Sequence, residues 1–154
     1  MKSLFLGLIV SLSASVSAAT FTTQEEFNVH NGSYSLPQAI NIQVLNVNPN
    51  KDIAEIKVDG IVKTYSVNFV RSEVEAYENI FTYSANLGSN ILANGSSCED
   101  YEEISFDLEL TVEDEPRDPH TFATFSAVSL KAIHSYNWDI CHGQTETKVI
   151  NYKK

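Results

Sequence analysis

ISFDLELTV, residues 104–112, sets Ile104, Phe106, Leu108, Leu110 and Val112 against Ser105, Asp107, Glu109 and Thr111 in strict alternation. Side chains on a strand point to opposite faces in turn, so this pattern buries one face and wets the other, whereas a helix would scatter the same apolar positions around its circumference. A second stretch agrees with it. AEIKV (54–58) and IVKTYSVNFV (61–70) flank Asp59-Gly60, and Asp-Gly between two β-rich runs favours a two-residue hairpin because both turn positions need positive φ. Pairing Val58 with Ile61 places Ala54, Ile56, Val58, Ile61, Tyr65, Val67 and Phe69 on one face.

Further strands are expected over 39–47, 80–87, a long run from about Phe122 to Trp138, and 148–152. In the first, the alternation changes phase between Val44 and Leu45, the mark of a bulge or a bend. In the long run, Val128, Leu130 and Ala132 alternate against Ser129 and Lys131. GSNILANGSS (88–97) reads as the longest connection, with Ile91 and Leu92 tucked back onto the body. One short helix is expected after Arg71, where Ser72 and Glu75 have capping-box spacing and Val74, Tyr77 and Phe81 fall at helical intervals; Thr23 and Glu26 have the same spacing and suggest a helical turn. Many short strands with little helix read as an all-β, single-domain antiparallel β-sandwich, immunoglobulin-like in layout at most, because Trp138 stands three residues before the second cysteine and not on the strand after the first. A small outer-membrane barrel fits less well: it needs an apolar outer band with aromatic girdles on every strand, whereas here the apolar row that alternates with Asp107 and Glu109 reads as a core face.

Lys2, the apolar run Leu4 to Leu12 and the small-residue site Val16-Ser17-Ala18 have the form of a cleaved secretory signal peptide, residues 1–19, leaving 20–154 as one domain. The apolar run is shorter than the roughly 20 residues of a membrane anchor. A secreted or periplasmic location follows as the expectation. There Cys98 and Cys141, the only two cysteines, are expected to form one disulfide. If the Ile104 strand pairs with the Phe122 run through a turn near Pro116 to Asp118, antiparallel partners have numbers totalling roughly 234. The cysteines total 239, close enough for a bridge at the base of that hairpin.

Removing Lys2 leaves nine basic residues against 20 acidic ones. That balance excludes nucleic acid as an expected partner, since such binding rests on Lys and Arg against phosphate, and it disfavours an anionic membrane surface. Half of the 20 carboxylates fall within residues 99–118. Of these, Asp107, Glu109, Glu113, Asp114, Glu115 and Asp118 form the candidate binding surface for a basic protein or a cell-envelope component. Asp107 and Glu109, on one strand face about 7 Å apart, are also the pair that a small glycan hydrolase would use. A purely structural envelope subunit is the third class. EDEPRDPH (113–120) could offer calcium oxygens through Asp114 and Asp118 but lacks EF-hand spacing. His30, His120, His134 and His142 are scattered and read as surface or hydrogen-bonding residues. No catalytic, phosphate-loop, metal or redox motif is present, and no cofactor is expected. Tyr136 and Trp138 could make an aromatic platform for sugar or peptide, with packing against the cysteines the favoured reading. Asn31-Gly32-Ser33 and Asn94-Gly95-Ser96 match glycosylation acceptors and are also turn sequences.

Overall fold

The computed structural model describes residues 17–75, 78–94, 100–114, 123–139 and 143–154, and it is all-β. Ten strands occur among them: β1 (Ala18–Thr22), β2 (Glu26–Val29), β3 (Gly32–Ser35), β4 (Ala39–Asn48), β5 (Ile53–Val58), β6 (Ile61–Glu75), β7 (Glu78–Asn94), β8 (Tyr101–Asp114), β9 (Thr124–Asp139) and β10 (Gln144–Asn151). Eight of them hydrogen-bond in the order β1-β4-β5-β6-β7-β8-β9-β10, all antiparallel, and β2-β3 form a separate hairpin. The sheet curls into a half-barrel. The separation into two sheets expected of a sandwich is not what the strands form, because β6 is long enough to pair with β5 over its first part and with β7 over the rest, carrying the ladder through the bend.

The curl is closed at one point. Thr22 and Lys153 exchange backbone hydrogen bonds of 2.7 and 2.8 Å, joining the end of β1 to the segment after β10. The core therefore fills from two facing halves: Phe21, Ile42, Val44 and Ile56 from one, Ile104, Leu108, Leu110 and Leu130 from the other, all fully buried. The β2-β3 hairpin packs onto the inner face with Phe27, 5.3 Å from the His134 ring on β9, and its Tyr34 hydroxyl accepts from Asn90 Nδ2 on β7 at 2.7 Å.

β8 follows its alternation, and Asp59 and Gly60 take the positive φ values of 45° and 87° that the hairpin turn requires, with Val58 opposite Ile61. The face assignment holds through Ala54, Ile56 and Val67, but Ile61 and Phe69 are exposed because β6 extends beyond the core at both ends. The bulge in β4 lies where the phase changes, between Val44 and Asn46. No helix forms after Arg71: Ser72 pairs with Phe81, Val74 with Asn79 and Glu75 with Glu78. The β-rich run Ile80 to Tyr83 supplies a ladder partner, and those cross-strand bonds override the local capping-box spacing. Arg71, Glu73 and Glu109 are then joined across the strands, at 2.9 Å between Nε and Glu73 and 3.3 Å between Nη2 and Glu109. Nor does Thr23 begin a helical turn; its hydroxyl accepts from the Glu25 amide at 3.2 Å, and the chain enters β2 directly.

Two further expectations are corrected. GSNILANGSS is not a connection over its first seven residues, since β7 runs to Asn94 with bulges near Gly88 and Leu92; Ile91 and Leu92 stand exposed. Gly88 at φ 135° provides the first irregularity, its amide donating to Asn86 Oδ1 at 2.9 Å. In β9, a bulge at Val128 puts Ala127 inside and leaves Val128 exposed.

Tyr152, buried beside the closure point, donates its hydroxyl to the Pro37 carbonyl at 3.0 Å. Burial pushes its phenol up to about 12. The folded protein thus holds the neutral form while the unfolded chain ionises near 10, so this contribution is intact below pH about 10 and is lost as pH rises through 12. Urea unfolding across that window should show stability falling by up to about 2 kcal/mol from this group. Tyr152→Phe should flatten that share of the fall while costing about 1 kcal/mol at pH 7 through the lost hydrogen bond; an unchanged slope between pH 9 and 12 would remove the assignment.

Candidate functional site

Strand parity distributes the acidic residues of β8. The odd positions face outward. There Asp107 accepts from Asn86 Nδ2 at 3.0 Å, and Glu109 pairs with Arg71 at 3.3 Å. Each of these carboxylates is bound to its own neighbour on the outer surface, and neither lines the groove described below, so the pair lacks the enclosed setting in which two carboxylates acquire different roles. Glu113 lies between Ile80 and Thr124 at the end of the strand. Glu115 and Asp118 lie outside the described residues, as do Cys98, Cys141, His120 and His142. Among the described residues no cluster of three or more His, Cys, Asp or Glu is arranged to hold a metal ion.

The even positions face inward, and parity carries this apolar row past the end of the packed core. Val112 and Asp114 of β8, Phe81 and Tyr83 of β7, and Ala123 and Phe125 at the start of β9 meet Val47 and Pro49 of the β4-β5 turn around an open groove of about 350 Å³. Phe69 extends this apolar surface, its ring set edge-on to Tyr83 at 5.9 Å. Burial raises the Tyr83 phenol above its ordinary value, and the Asp52 carboxylate raises it further, so a neutral phenol and a nearby negative charge sit together at the groove. Asp114 is exposed at the groove itself, whereas Glu73, Glu75 and Glu78 are exposed on the outer face of the β6-β7 hairpin, Glu73 being joined there to Glu109 through Arg71. Val70 and Val74 are exposed on the same hairpin.

At the other end of the sheet stands a polar cluster that includes His30 and His134, expected to be surface or hydrogen-bonding residues, with Tyr136 and Trp138, expected to pack or to form an aromatic platform. Glu102 and His134 are both almost completely buried, with His134 Nε2 2.7 Å from Glu102 Oε1. The same oxygen accepts from the His30 backbone amide at 3.0 Å, pinning the tip of the β2-β3 hairpin to β8. His30 Nδ1 lies 2.9 Å from the Tyr136 hydroxyl, which donates to Asp100 Oδ2 at 3.1 Å. Tyr136 stacks on His30 at 5.3 Å, and Trp138, partly exposed, leans on Tyr136 at 5.8 Å. Burial first, and Asp100 second, raise the Tyr136 phenol above its ordinary value.

A carboxylate orienting an imidazole is half of a nucleophile-activating arrangement. Among the described residues the other half does not follow: His134 Nδ1 is buried without a hydrogen-bond partner, and its ring lies beside that of Phe27. With Nε2 engaged by Glu102, Nδ1 is the one ring nitrogen left without a partner among the described residues. The cluster is built to hold the hairpin down. Its signal was present in the sequence as parity: Glu102 is two residues before Ile104 on the core face, and His134 two after Ala132. No protein-family model matches the chain, and no curated protein or solved structure matches it either.

Proposed function

We propose that this chain is an exported, non-enzymatic binding protein of the periplasm or cell exterior, and that it docks a basic segment of another protein at the groove beside the β6-β7 hairpin. The observation that carries this reading is an apolar groove of about 350 Å³ with Asp114 exposed at its edge, at the end of the sheet where the β6-β7 hairpin exposes Glu73, Glu75 and Glu78 on its outer face. Apolar anchors in a groove with a charged rim of one sign are the ordinary composition of a protein interface, the rim steering the partner and the anchors holding it. The facing halves of the curled sheet act in this reading as a sandwich-like frame that keeps the groove walls in place. Asp107 and Glu109, already engaged by Asn86 and Arg71, contribute field rather than contact.

A labelled peptide alternating lysine and leucine, with a glutamate-leucine peptide as control, is the probe. The basic peptide should bind in the micromolar range at low salt and weaken about tenfold as ionic strength rises from about 0.05 to 0.5 M. Asp114→Lys combined with Glu78→Lys should weaken it by a further factor of about ten. Equal binding of both peptides, or none of the basic one, would overturn the proposal.

A further inference from the structure

Among the described residues β10 is an edge strand whose ladder partner is β9 alone. The direction of its backbone groups can be read from the bonds next to it. Tyr152 N donates toward β9, to Leu130 O at 2.9 Å, whereas Lys153 N and O both turn the other way, to Thr22. Hydrogen-bonding direction alternates residue by residue in an antiparallel ladder. The register shift in β10 lies between Gln144 and Thr145, so the alternation runs unbroken from Thr145 onward. The N–H and C=O groups of Thr145, Thr147 and Val149 therefore point away from β9. Gln144 to Val149 are all exposed, and Val149, half exposed, is an apolar side chain on this rim. The strand contains no proline, and Lys148 is its one cation. Such a row of outward donors and acceptors is a template for another strand.

The order of the side chains says which strand. Reading outward from Thr147, the two neighbours are Glu146 and Lys148, and the next two are Thr145 and Val149. We infer that β10 pairs antiparallel with β10 of a second copy of this chain, about a two-fold axis at Thr147. Thr147 then faces the partner's Thr147, and Thr145 faces the partner's Val149, in three hydrogen-bonded pairs that use the outward groups. Glu146 faces the partner's Lys148, and Lys148 the partner's Glu146, in non-hydrogen-bonded pairs, where opposed side chains come closest. Within one copy Lys148 Nζ already lies 3.0 Å from Glu146 Oε1 along the strand. Pairing joins the two contacts into a four-charge network of alternating sign. A two-fold axis one step along, at Val149, opposes Lys148 to the partner's Ile150, and one at Thr145 opposes Glu146 to the partner's Gln144; neither matches charge. The long-range repulsion between two acidic chains favours the one register in which local charges compensate.

Sedimentation velocity of the full mature chain at about 0.15 M salt, over a range of roughly 10 to 300 µM, tests this inference independently of the groove. A concentration-dependent monomer–dimer equilibrium is expected. Glu146→Lys alone and Lys148→Glu alone should each weaken the dimer tenfold or more, and the double variant Glu146→Lys/Lys148→Glu should restore it. Thr147→Pro removes an N–H that β9 does not use, so the monomer keeps its fold and the dimer is lost. A monomer at every concentration, a dimer indifferent to either single reversal, or a double variant that stays monomeric overturns the proposal.

Discussion

Glu102→Ala should be the most destabilising single substitution at a polar site in this protein, at about 3–5 kcal/mol in urea unfolding. Removing the carboxylate takes the acceptor from buried His134 Nε2, in a ring whose Nδ1 has no partner among the described residues, and from the part-buried His30 amide. Against a net stability of about 5–15 kcal/mol for a domain of this kind, that loss brings the protein close to unfolding. Glu102→Gln keeps an acceptor oxygen for both donors and should cost less than half as much. Replacing both members, Glu102→Leu with His134→Leu, should recover most of the loss, because a packed apolar pair does not carry the desolvation of a buried ion or its partner. The same variants should raise amide exchange at Val29 to Gly32, since the His30 amide is what ties that turn to β8. If Glu102→Ala costs less than about 1 kcal/mol and leaves that exchange unchanged, the cluster is not what holds the hairpin.

Much of this architecture can be read from residues with a strong local pattern. Ile104 to Val112, the Asp59-Gly60 turn and the phase change after Val44 each carry a signal that no distant contact has to complete. Where the reading departs, a non-local pairing decides. Ser72 and Glu75 have a helix start written into them, but the strand opposite, Ile80 to Tyr83, offers cross-strand partners that a local pattern cannot anticipate. Val128 belongs by alternation with Leu130, and a bulge moves it outside in favour of Ala127. The two-sheet expectation fails for a related reason: strand spacing counts strands, and only the length of β6 reveals that one strand serves both halves. The candidate site divides in the same way. Composition gathers Asp107, Glu109, Glu113 and Asp114 into one acidic surface, with the last two expected in the turn; β8 instead runs on to Asp114, and parity sends the first three outward and Asp114 to the groove. The buried pair was hidden by residue type, since a glutamate in an acidic run and an isolated histidine carry no mark of burial except their place on the core face.

The largest effect to be expected from covalent chemistry concerns Cys98 and Cys141, which lie outside the described residues. The nearest described pairs bear on it: Tyr101 opposes Asn137, and the partners along β8 and β9 from there to Glu109 total 238, against 239 for the cysteines. The registration inferred from a turn near Pro116 was four residues short of the one these described pairs show. Oxidation would close a loop of the 42 residues between them, spanning the β8-β9 hairpin, and the chain-entropy argument gives about 4 kcal/mol for that length. Exported protein should therefore show no thiol labelling before reduction, and a mass two hydrogens below the reduced form. Reduction, or Cys98→Ser with Cys141→Ser, should lower unfolding stability by about 2–5 kcal/mol, with either single substitution costing as much as both together. That equivalence separates a bridge from two buried thiols, because independent packing losses add whereas a shared bond is lost only once. Two freely reacting thiols in exported material would end the argument for the bridge. The groove at the opposite end of β8 would be untouched by that outcome, since its walls are set by the inward parity of Phe81, Val112 and Phe125.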